Sequence, residues 1–536
     1  MALKLKTYRD NPGEWKEKGY RLPAFDPDAV KAVTGAHPKW IHFGAGNIFR
    51  AFPAAVLQEA LDAGETDTGV IVAEGFDYEI IDRAYRPYDN LSLLVVLKAD
   101  GSIEKRVIAS VTESVCADAL NEAEWGRLEE IFTDPSLQMV SFTITEKGYA
   151  VTGPDGSLSG IVQKDFADGG FQPAHSMGKI AALLYKRYES GAAPVAMVSM
   201  DNCSHNGDKL RDGVMAYVSH WCDAGMTPEG FRDYVSDRAR VSFPWSMIDK
   251  ITPRPDEKVQ KMLEEDGFAD TELIVTKNRS FTAPFVNAEE MQYLVIEDAF
   301  PNGRPPLEKG GVIFTDRDTV DRIEKMKVCT CLNPLHTALA IYGCLLGFGT
   351  IHEEMKDKAL RTFITRMGNR EGMPVVVNPG IIRPQDFLDE VLQKRLPNPF
   401  MPDTPQRIAT DTSQKLPVRF GETLKAYREK GLSYDDLTYI PLVIAGYARY
   451  LMGVDDRGEP FTPSDDPLLK ELSLTVKDVR LGAPPAKDVL NPLLTRKDLF
   501  GVDLYEAGMA EKIGMYFTEL TAGKGAVRAT LDKYTA

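Results

Sequence analysis

Two glycines near the start of the chain form the first pattern that could do chemistry, because glycines shape loops that bind phosphate. Gly44 and Gly46 lie between a predicted strand, Trp40–Phe43, and an apolar helical pattern, the context that a dinucleotide site requires. The first glycine permits a tight turn, and the second lets the backbone approach a pyrophosphate at the positive end of a helix. Phe49 stands where a third glycine is usual, and Arg50 could contact a phosphate or be a solvated helix residue. The pattern favours dinucleotide binding but is weak on its own.

An acidic residue at the end of the second predicted strand indicates which dinucleotide. Glu74 lies 28 residues after Gly46, and a carboxylate there accepts hydrogen bonds from the adenosine ribose and repels a 2′-phosphate. The spacing is longer than usual, and the polar turn at residues 64–68 accounts for the excess. Asp77 competes for the role, and an ordinary solvated carboxylate is the alternative. We predict NAD rather than NADP.

Cysteine and histidine spacing predicts no metal site. Cys329 and Cys331 are two residues apart, which is not a zinc-binding spacing, and the seven histidines form no H-x-x-x-H or HExxH pattern. Six cysteines in so long a chain also argue against a disulfide framework.

Predicted strands that alternate with helices must position these residues. Besides Trp40–Phe43, apolar runs cover residues 69–73, 138–145 and 195–200, and residues 91–97 and 106–111 form a predicted strand pair. This alternation predicts an α/β domain with a largely parallel sheet. After about residue 290 the patterns are mostly helical, at residues 318–346, 353–368, 384–395, 418–430, 434–452 and 505–521. We predict an N-terminal arm over residues 1–38, a dinucleotide-binding domain over 39–292 and a mainly helical substrate-binding domain over 293–536.

Composition limits the classes of partner. The 536 residues suggest two large domains or more. A net charge of −16 disfavours nucleic acid, since an acidic surface repels phosphate backbones. The sequence has no run of 18 apolar residues, and Met1–Lys18 is polar without an apolar signal core. We therefore expect a cytoplasmic protein with no membrane partner. The oligomeric state stays open.

Five separated motifs together carry a family resemblance. They are SFTITEKGY at residues 141–149, DNCSHNG at 201–207, FPWSMIDKITP at 243–253, VIED at 295–298 and KVCTCLNPLH at 327–336. With them, over roughly residues 40–520, the chain resembles the mannitol dehydrogenase family of long-chain polyol dehydrogenases. The resemblance implies a Rossmann-like N-terminal α/β domain, a mainly α-helical C-terminal domain and NAD as cofactor.

The resemblance also implies catalytic roles. Lys327 matches the general base, Asn202 and Asn333 match the pair that holds the reacting oxygen, and His336 matches a substrate-orienting residue. The chemistry suits these residue types. Hydride leaves a carbinol carbon as the hydroxyl proton is removed, and a lysine amine accepts that proton when its surroundings lower its pKa. Amide donors stabilise the developing alkoxide, by roughly 3–4 kcal/mol each in a favourable case.

The substrate contacts implied by the resemblance are Asp249, a polar pocket residue, and the cations Arg407 and Lys415. Since the cations could pair with a carboxylate, we favour the D-mannonate/D-fructuronate pair. Family members that act on neutral polyols carry similar cations, so mannitol, the altronate/tagaturonate pair or a phosphorylated polyol stays open. The expected cofactor contacts are Gly44, Gly46, Asn47, Arg50, Glu74 and Glu146.

The spacing between the lysine and the second asparagine departs from the family pattern. Asn333 is six residues after Lys327 rather than five, and Pro334 follows where glycine is usual. One extra residue rotates a regular helix by about 100°. We therefore predict a π-bulge or a helix break within residues 328–332, with Asn333 as the N-cap and Pro334 as the first residue of a new helix. Lys325 is the rival base. The insertion alone favours another class, a non-catalytic NAD-binding protein.

Overall fold

The computed structural model describes residues 2–153, 155–168 and 171–536. The chain divides into two units: unit 1 is Met1–Lys98 with Ser102–Asp321, and unit 2 is Ala99–Gly101 with Arg322–Ala536. The division falls after the predicted boundary at residues 292/293, because the strands at 293–297 and 313–315 pair within unit 1. The predicted N-terminal arm is also part of unit 1, where Tyr20 and Arg21 pair with Lys105 and Arg106.

Strands and helices alternate through unit 1. Its strands are β1 (Tyr20–Arg21), β2 (Trp40–Phe43), β3 (Val70–Glu74), β4 (Ser92–Leu97), β5 (Ile103–Ile108), β6 (Val111–Cys116), β7 (Met139–Phe142), β8 (Val195–Ser199), β9 (Val241–Ser242), β10 (Ser246–Asp249), β11 (Ile274–Val275), β12 (Phe281–Thr282), β13 (Phe285–Glu289), β14 (Tyr293–Glu297) and β15 (Ile313–Thr315). Its α-helices are α1 (Pro12–Glu17), α2 (Pro27–Ala36), α3 (Asn47–Ala51), α4 (Pro53–Asp62), α5 (Glu122–Thr133), α6 (Glu146–Tyr149), α7 (Gly160–Asp168), α8 (Ser176–Glu189), α9 (Asn206–Asp223), α10 (Glu229–Ser236) and α11 (Glu257–Glu265). Helix α12 (Arg317–Met326) carries the chain into unit 2.

The main sheet has six parallel strands in the order β6-β3-β2-β7-β8-β9. In chain order this is 3-2-1-4-5-6, the arrangement of a Rossmann fold. Ile41 and Phe43 of β2 join one apolar core, and Trp40 joins the other. Helices therefore cover both faces, which is why these strands read as continuous apolar runs. The predicted parallel sheet is confirmed.

The predicted strand pair at residues 91–97 and 106–111 belongs to a different sheet. Strands β4 and β5 pair antiparallel, from Ser92 opposite Ile108 to Leu97 opposite Ile103. They lie in the mixed sheet β1-β5-β4-β13, and a third sheet has the order β10-β14-β15.

Unit 2 is mainly helical, as predicted. Its α-helices are α13 (Asn333–Leu346), α14 (Ile351–Lys356), α15 (Lys358–Arg366), α16 (Pro384–Glu390), α17 (Pro405–Ala409), α18 (Thr412–Leu416), α19 (Glu422–Glu429), α20 (Tyr439–Tyr450), α21 (Leu469–Ser473), α22 (Asn491–Leu494), α23 (Lys497–Phe500), α24 (Ala510–Leu520) and α25 (Ala526–Thr535). Short π-helical turns occur at Lys327–Cys331, Met367–Gly372, Val391–Arg395 and Pro417–Gly421.

Helices α13 and α20 form the centre of unit 2. Every residue of α20 is buried. The Tyr342 hydroxyl of α13 donates to the Leu442 carbonyl at 2.8 Å. A Cβ on Gly446 would lie 2.8 Å from the Tyr342 ring, so glycine is required for this close packing. Among the described residues, Arg317–Leu346 is the helical stretch long and apolar enough to cross a membrane, but 78% of its apolar window is buried in the structure.

The carboxylate of Glu371 caps the N-terminus of α20. It accepts hydrogen bonds from the backbone N–H groups of Thr438 (2.5 Å), Tyr439 (2.7 Å) and Ile440 (2.7 Å). These are N–H groups that a helix start leaves without partners. Burial raises the Glu371 pKa from its ordinary 4.5 to about 7.

We predict that Glu371→Ala lowers the free energy of unfolding by about 1–3 kcal/mol, because buried N–H groups lose their acceptor. Thermal or urea unfolding measures this, with exposed Glu429→Ala as the control. Because the folded pKa exceeds the unfolded one, this group's contribution to stability is full below about pH 4.5 and falls as the pH rises through 7. The variant should lack this part of the pH dependence, and an unchanged stability profile would contradict the assigned role.

Candidate active site

The glycine loop lies where the strand order of the main sheet reverses, between β2 and β7. Gly44 has a φ of 109°, and a Cβ there would lie 2.2 Å from the Thr143 carbonyl oxygen, so only glycine fits. Its N–H donates to the Ala73 carbonyl at 2.8 Å. A Cβ on Gly46 would meet no atom within 4 Å. The backbone at Gly46 is thus open at a switch point, and this fits a bound dinucleotide.

Glu74 fastens this loop from the end of β3. Its buried carboxylate accepts hydrogen bonds from the N–H groups of Ala45 (2.8 Å), Phe76 (2.8 Å) and Asp77 (3.2 Å). Asp77, the rival, is also buried and accepts from the Thr276 hydroxyl at 2.5 Å. Neither side chain is the solvated carboxylate that was the alternative. Glu74 combines the predicted position with a structural role that the sequence did not indicate.

The alternative of a solvated Arg50 is corrected by its burial, since only 1% of the residue is exposed. Its guanidinium donates to the Ala283 carbonyl (2.6 Å), the Thr282 hydroxyl (2.6 Å) and the Asn47 side-chain oxygen (2.8 Å). It is therefore not a solvated helix residue, and its contact with a phosphate stays a prediction. Asn47 donates in turn to the Phe281 carbonyl at 2.9 Å. The pair ties α3 to β12.

Asp201, which the sequence analysis missed, organises the loop that follows β7. It accepts from the N–H groups of Ile144 and Thr145, both at 2.9 Å, and from the Tyr149 hydroxyl at 2.5 Å. Burial raises the pKa of Asp201. Glu146, the next residue of this loop, is exposed and forms an ion pair with Lys209.

Asn206 holds the loop that carries Asn202. The Asn206 amide donates to the carbonyls of Ser199 (3.3 Å), Asp201 (3.0 Å) and Ser246 (3.0 Å) and accepts from the Ser246 N–H. Asn202 is exposed on this bend. Asp249 is buried at the end of β10, opposite Tyr293 of β14. The motif at residues 201–207 contained Asn206, but only the fold shows what it binds.

The predicted helix distortion before Asn333 is confirmed. Lys327–Cys331 is a π-helical turn, in which the Leu332 N–H donates to the Lys327 carbonyl at 3.1 Å. Leu332 then leaves helical geometry, with φ −125° and ψ −62°, and α13 begins at Asn333. The predicted cap is off by one residue: Leu332 is the N-cap, and Asn333 and Pro334 are the first two helical residues. The π turn absorbs the insertion, which was the feature that favoured a non-catalytic protein.

Burial distinguishes the two candidate bases. Lys327 is buried and 3% exposed, whereas Lys325 lies on the exposed face of α12. A buried amine is the kind that can work as a base, and an exposed one stays in water. The arrangement favours Lys327.

His336 lies in the first turn of α13, three residues after Asn333. Its Nε2 is buried and has no hydrogen-bond partner among the described residues. Burial lowers its pKa to about 3, and a group of four cations adds to the effect: Arg419, Arg395, Arg407 and Lys415. The imidazole is therefore neutral at pH 7. The Asp403 carboxylate, 3.5 Å from Nε2, is consequently not its ion-pair partner.

The sequence analysis identified two of these four cations. Arg407 forms an ion pair with Asp403. Lys415 donates to the carbonyls of Ile408 (3.1 Å) and Thr410, and burial with nearby Arg419 lowers its pKa to about 8. Arg419 was missed, although its position four residues after Lys415 is the spacing of neighbours on a helix face. Arg395 was missed as well.

The remaining polar side chains provide no cluster for a metal. Within residues 2–153, 155–168 and 171–536, no three His, Cys, Asp or Glu side chains are placed to hold an ion. The six cysteines, all within the described residues, form no disulfide bond with one another. Unit 1 thus offers a loop suited to a dinucleotide, and unit 2 offers a buried lysine, an asparagine and a histidine surrounded by positive charge.

Comparisons with known proteins agree with this division of features. The sequence matches two family models, the Mannitol dehydrogenase Rossmann domain over residues 38–309 and the Mannitol dehydrogenase C-terminal domain over residues 319–521. D-mannonate oxidoreductase of Thermotoga maritima is 52% identical, and the match covers 99% of each chain. Mannitol 2-dehydrogenase of Pyrenophora tritici-repentis is 31% identical over 87% of this chain and 76% of that one.

Solved structures show the same architecture. The ternary complex of Pseudomonas fluorescens mannitol 2-dehydrogenase with NAD and D-mannitol matches with a TM-score of 0.68, 26% identity and 96% coverage of both chains. A D-sorbitol dehydrogenase shares the fold, with a TM-score of 0.79, 24% identity and coverage of 96% of this chain and 97% of that one. The chain belongs to the mannitol dehydrogenase family.

Proposed function

We propose that the protein is an NAD-dependent dehydrogenase that interconverts the secondary alcohol of D-mannonate and the ketone of D-fructuronate. The observation that carries the proposal is the full-length match, at 52% identity, to a protein named D-mannonate oxidoreductase. The structure adds physical support, since Arg395, Arg407, Lys415 and Arg419 surround His336 with positive charge. An aldonate carries a carboxylate that such a group attracts.

The cofactor proposal rests on the loop at the end of β2. Gly44 and Gly46 leave its backbone open, Glu74 fixes its shape, and the related mannitol 2-dehydrogenase was solved with NAD. NAD, when bound, accepts or supplies the hydride. Glu74 would receive the adenosine ribose hydroxyls, for which its two oxygens keep acceptor capacity beyond the three N–H groups already bound.

Lys327 is the proposed general base. Its neutral amine takes the hydroxyl proton as the carbinol carbon becomes a carbonyl, and its ammonium form returns the proton in the reverse direction. Asn202 and Asn333 are proposed to donate their amide N–H groups to the reacting oxygen, which gains negative charge in the transition state. Neutral His336 can donate one N–H to a substrate oxygen without adding a charge. Asp249 is proposed to hold another substrate hydroxyl.

A substrate panel tests the activity directly. NADH formation, followed by absorbance, should be fastest with D-mannonate, slower with D-altronate and slowest with D-mannitol. Failure to oxidise any of the three would refute the proposal, and a preference for D-mannitol would replace its substrate.

We predict that Lys327→Ala lowers kcat by about 10²–10⁴-fold, the usual cost of losing a general base. NADH binding, measured by fluorescence, should stay near the wild-type value. A small primary amine added to the assay should restore part of the activity. Lys325→Ala is the matched control, because Lys325 is exposed two residues away on the same helical stretch. If Lys325→Ala lowered kcat strongly and Lys327→Ala did so only slightly, Lys325 would be the base.

We predict that Glu74→Gln lowers the preference for NAD over NADP, expressed as the ratio of kcat/KM values, by roughly tenfold or more. The loss of a negative charge removes repulsion of the 2′-phosphate. The KM for NAD should also rise, since an amide cannot accept from all three N–H groups that the carboxylate binds. Asp67→Asn, at an exposed carboxylate, is the control. A wild-type enzyme that prefers NADP would contradict the role of Glu74.

A further inference from the structure

Arg419, which is half-buried, uses fewer of its guanidinium donors than the fully buried Arg187 and Arg449 do. In Arg187 and in Arg449, each of the three guanidinium nitrogens donates to at least one backbone carbonyl. In Arg419 only Nη1 is bound, to the Asn333 carbonyl at 3.4 Å and to the Thr337 hydroxyl. Among the described residues, no partner binds its Nε or Nη2. One edge of its planar fork is thus available to a ligand.

Among the described residues, no carboxylate forms an ion pair with Arg419. Burial lowers its pKa to about 10, and no acidic side chain opposes that effect. By contrast, Asp403 pairs with Arg407, and Asp411 and Asp466 act on Lys415. Even a partly buried charge without a counter-ion is costly to the fold. Proteins retain such a charge where a ligand of opposite sign completes it.

The position of Arg419 places this charge beside the substrate-orienting histidine. Its Nη1 bonds to Asn333 and Thr337 fix the guanidinium against the first turn of α13, and His336 lies between those two residues. The buried Nε2 of His336 also has no hydrogen-bond partner among the described residues. Two polar groups without a complete set of partners therefore lie at the first turn of α13, His336 within it and Arg419 against it, in the field of three further cations.

We propose that Arg419 binds the carboxylate of the substrate and so determines the preference of this enzyme for sugar acids over uncharged polyols. The free edge of the guanidinium suits a carboxylate, which accepts two parallel N–H bonds from such a fork. His336 supplies a third, uncharged donor. The inference rests on the proposed function, because it names the group by which that same site recognises its substrate.

Arg419→Gln tests the proposal with D-mannonate and D-mannitol, which differ at carbon 1 in having a carboxylate or a hydroxyl. We expect kcat/KM for D-mannonate to fall by about 10²–10³-fold. The inhibition constant of D-mannitol, measured as a competitor, should change less than threefold. Arg419→Lys keeps the charge but not the fork and should recover only part of the loss. Arg428→Gln, at an exposed arginine of α19, is the control for a lost surface charge.

Thermal shift with each compound provides a readout that needs no turnover. D-mannonate should raise the Tm of the wild-type enzyme more than D-mannitol does, and Arg419→Gln should abolish that difference while keeping the Tm without ligand near that of the wild type. Equal losses for both compounds would mean that Arg419 only positions α13, and would overturn the inference. The inference would also be overturned if Arg419→Gln still preferred D-mannonate to D-mannitol. If the wild type oxidises neither compound, the proposed function fails, and the thermal shift still decides whether Arg419 reads the carboxylate.

Discussion

The extra residue between Lys327 and Asn333 is the constraint on which the arrangement of unit 2 depends. An inserted residue in a helix must either turn all later side chains by about 100° or be absorbed locally. Here the π turn Lys327–Cys331 absorbs it, and Pro334, which has no N–H to donate, lies in the first turn of α13, where that N–H would have no helical partner. The Cys329 carbonyl, five residues before Pro334, accepts from the Thr423 hydroxyl instead, at 3.1 Å.

Neighbouring segments are shaped around this distortion. A Cβ on Gly372 would lie 2.9 Å from the Thr330 side chain, so the next π turn can approach only with glycine there. Glu371, one residue earlier, binds the start of α20, and α20 packs on α13 through Tyr342. The segment that carries the proposed base, the segment that carries Asn333 and His336, and the core helix that supports them are thus connected by side-chain to backbone bonds. We expect a substitution that moves one of these segments to displace the others as well.

The sequence was enough to predict features that follow from the spacing of residues along the chain. It was not enough to predict features that depend on hydrogen-bond partners far away in the sequence. Helix arithmetic was enough to predict the distortion before Asn333, because one extra residue has a fixed angular effect. The glycine loop was predictable because it follows an apolar strand directly. The burial of Arg50 was not predicted, because its hydrogen-bond partners, Thr282 and Ala283, are over 230 residues away along the chain. Nothing in the local pattern distinguishes a buried arginine of this kind from a solvated one.

The net charge of this protein disfavours large anionic partners, whereas the local charge around His336 favours a small anion. The chain carries a formal charge of −16, which disfavours large polyanions. Four cations nevertheless surround His336. Their field attracts an anion. It also adds to the larger effect of burial in lowering the pKa of His336, and so helps to keep the imidazole neutral. A protonated His336 would add a fifth charge and lose its capacity to accept a hydrogen bond. In the proposed site, the cations supply the charge that binds the acid group, and the neutral ring supplies a hydrogen bond without adding a further charge.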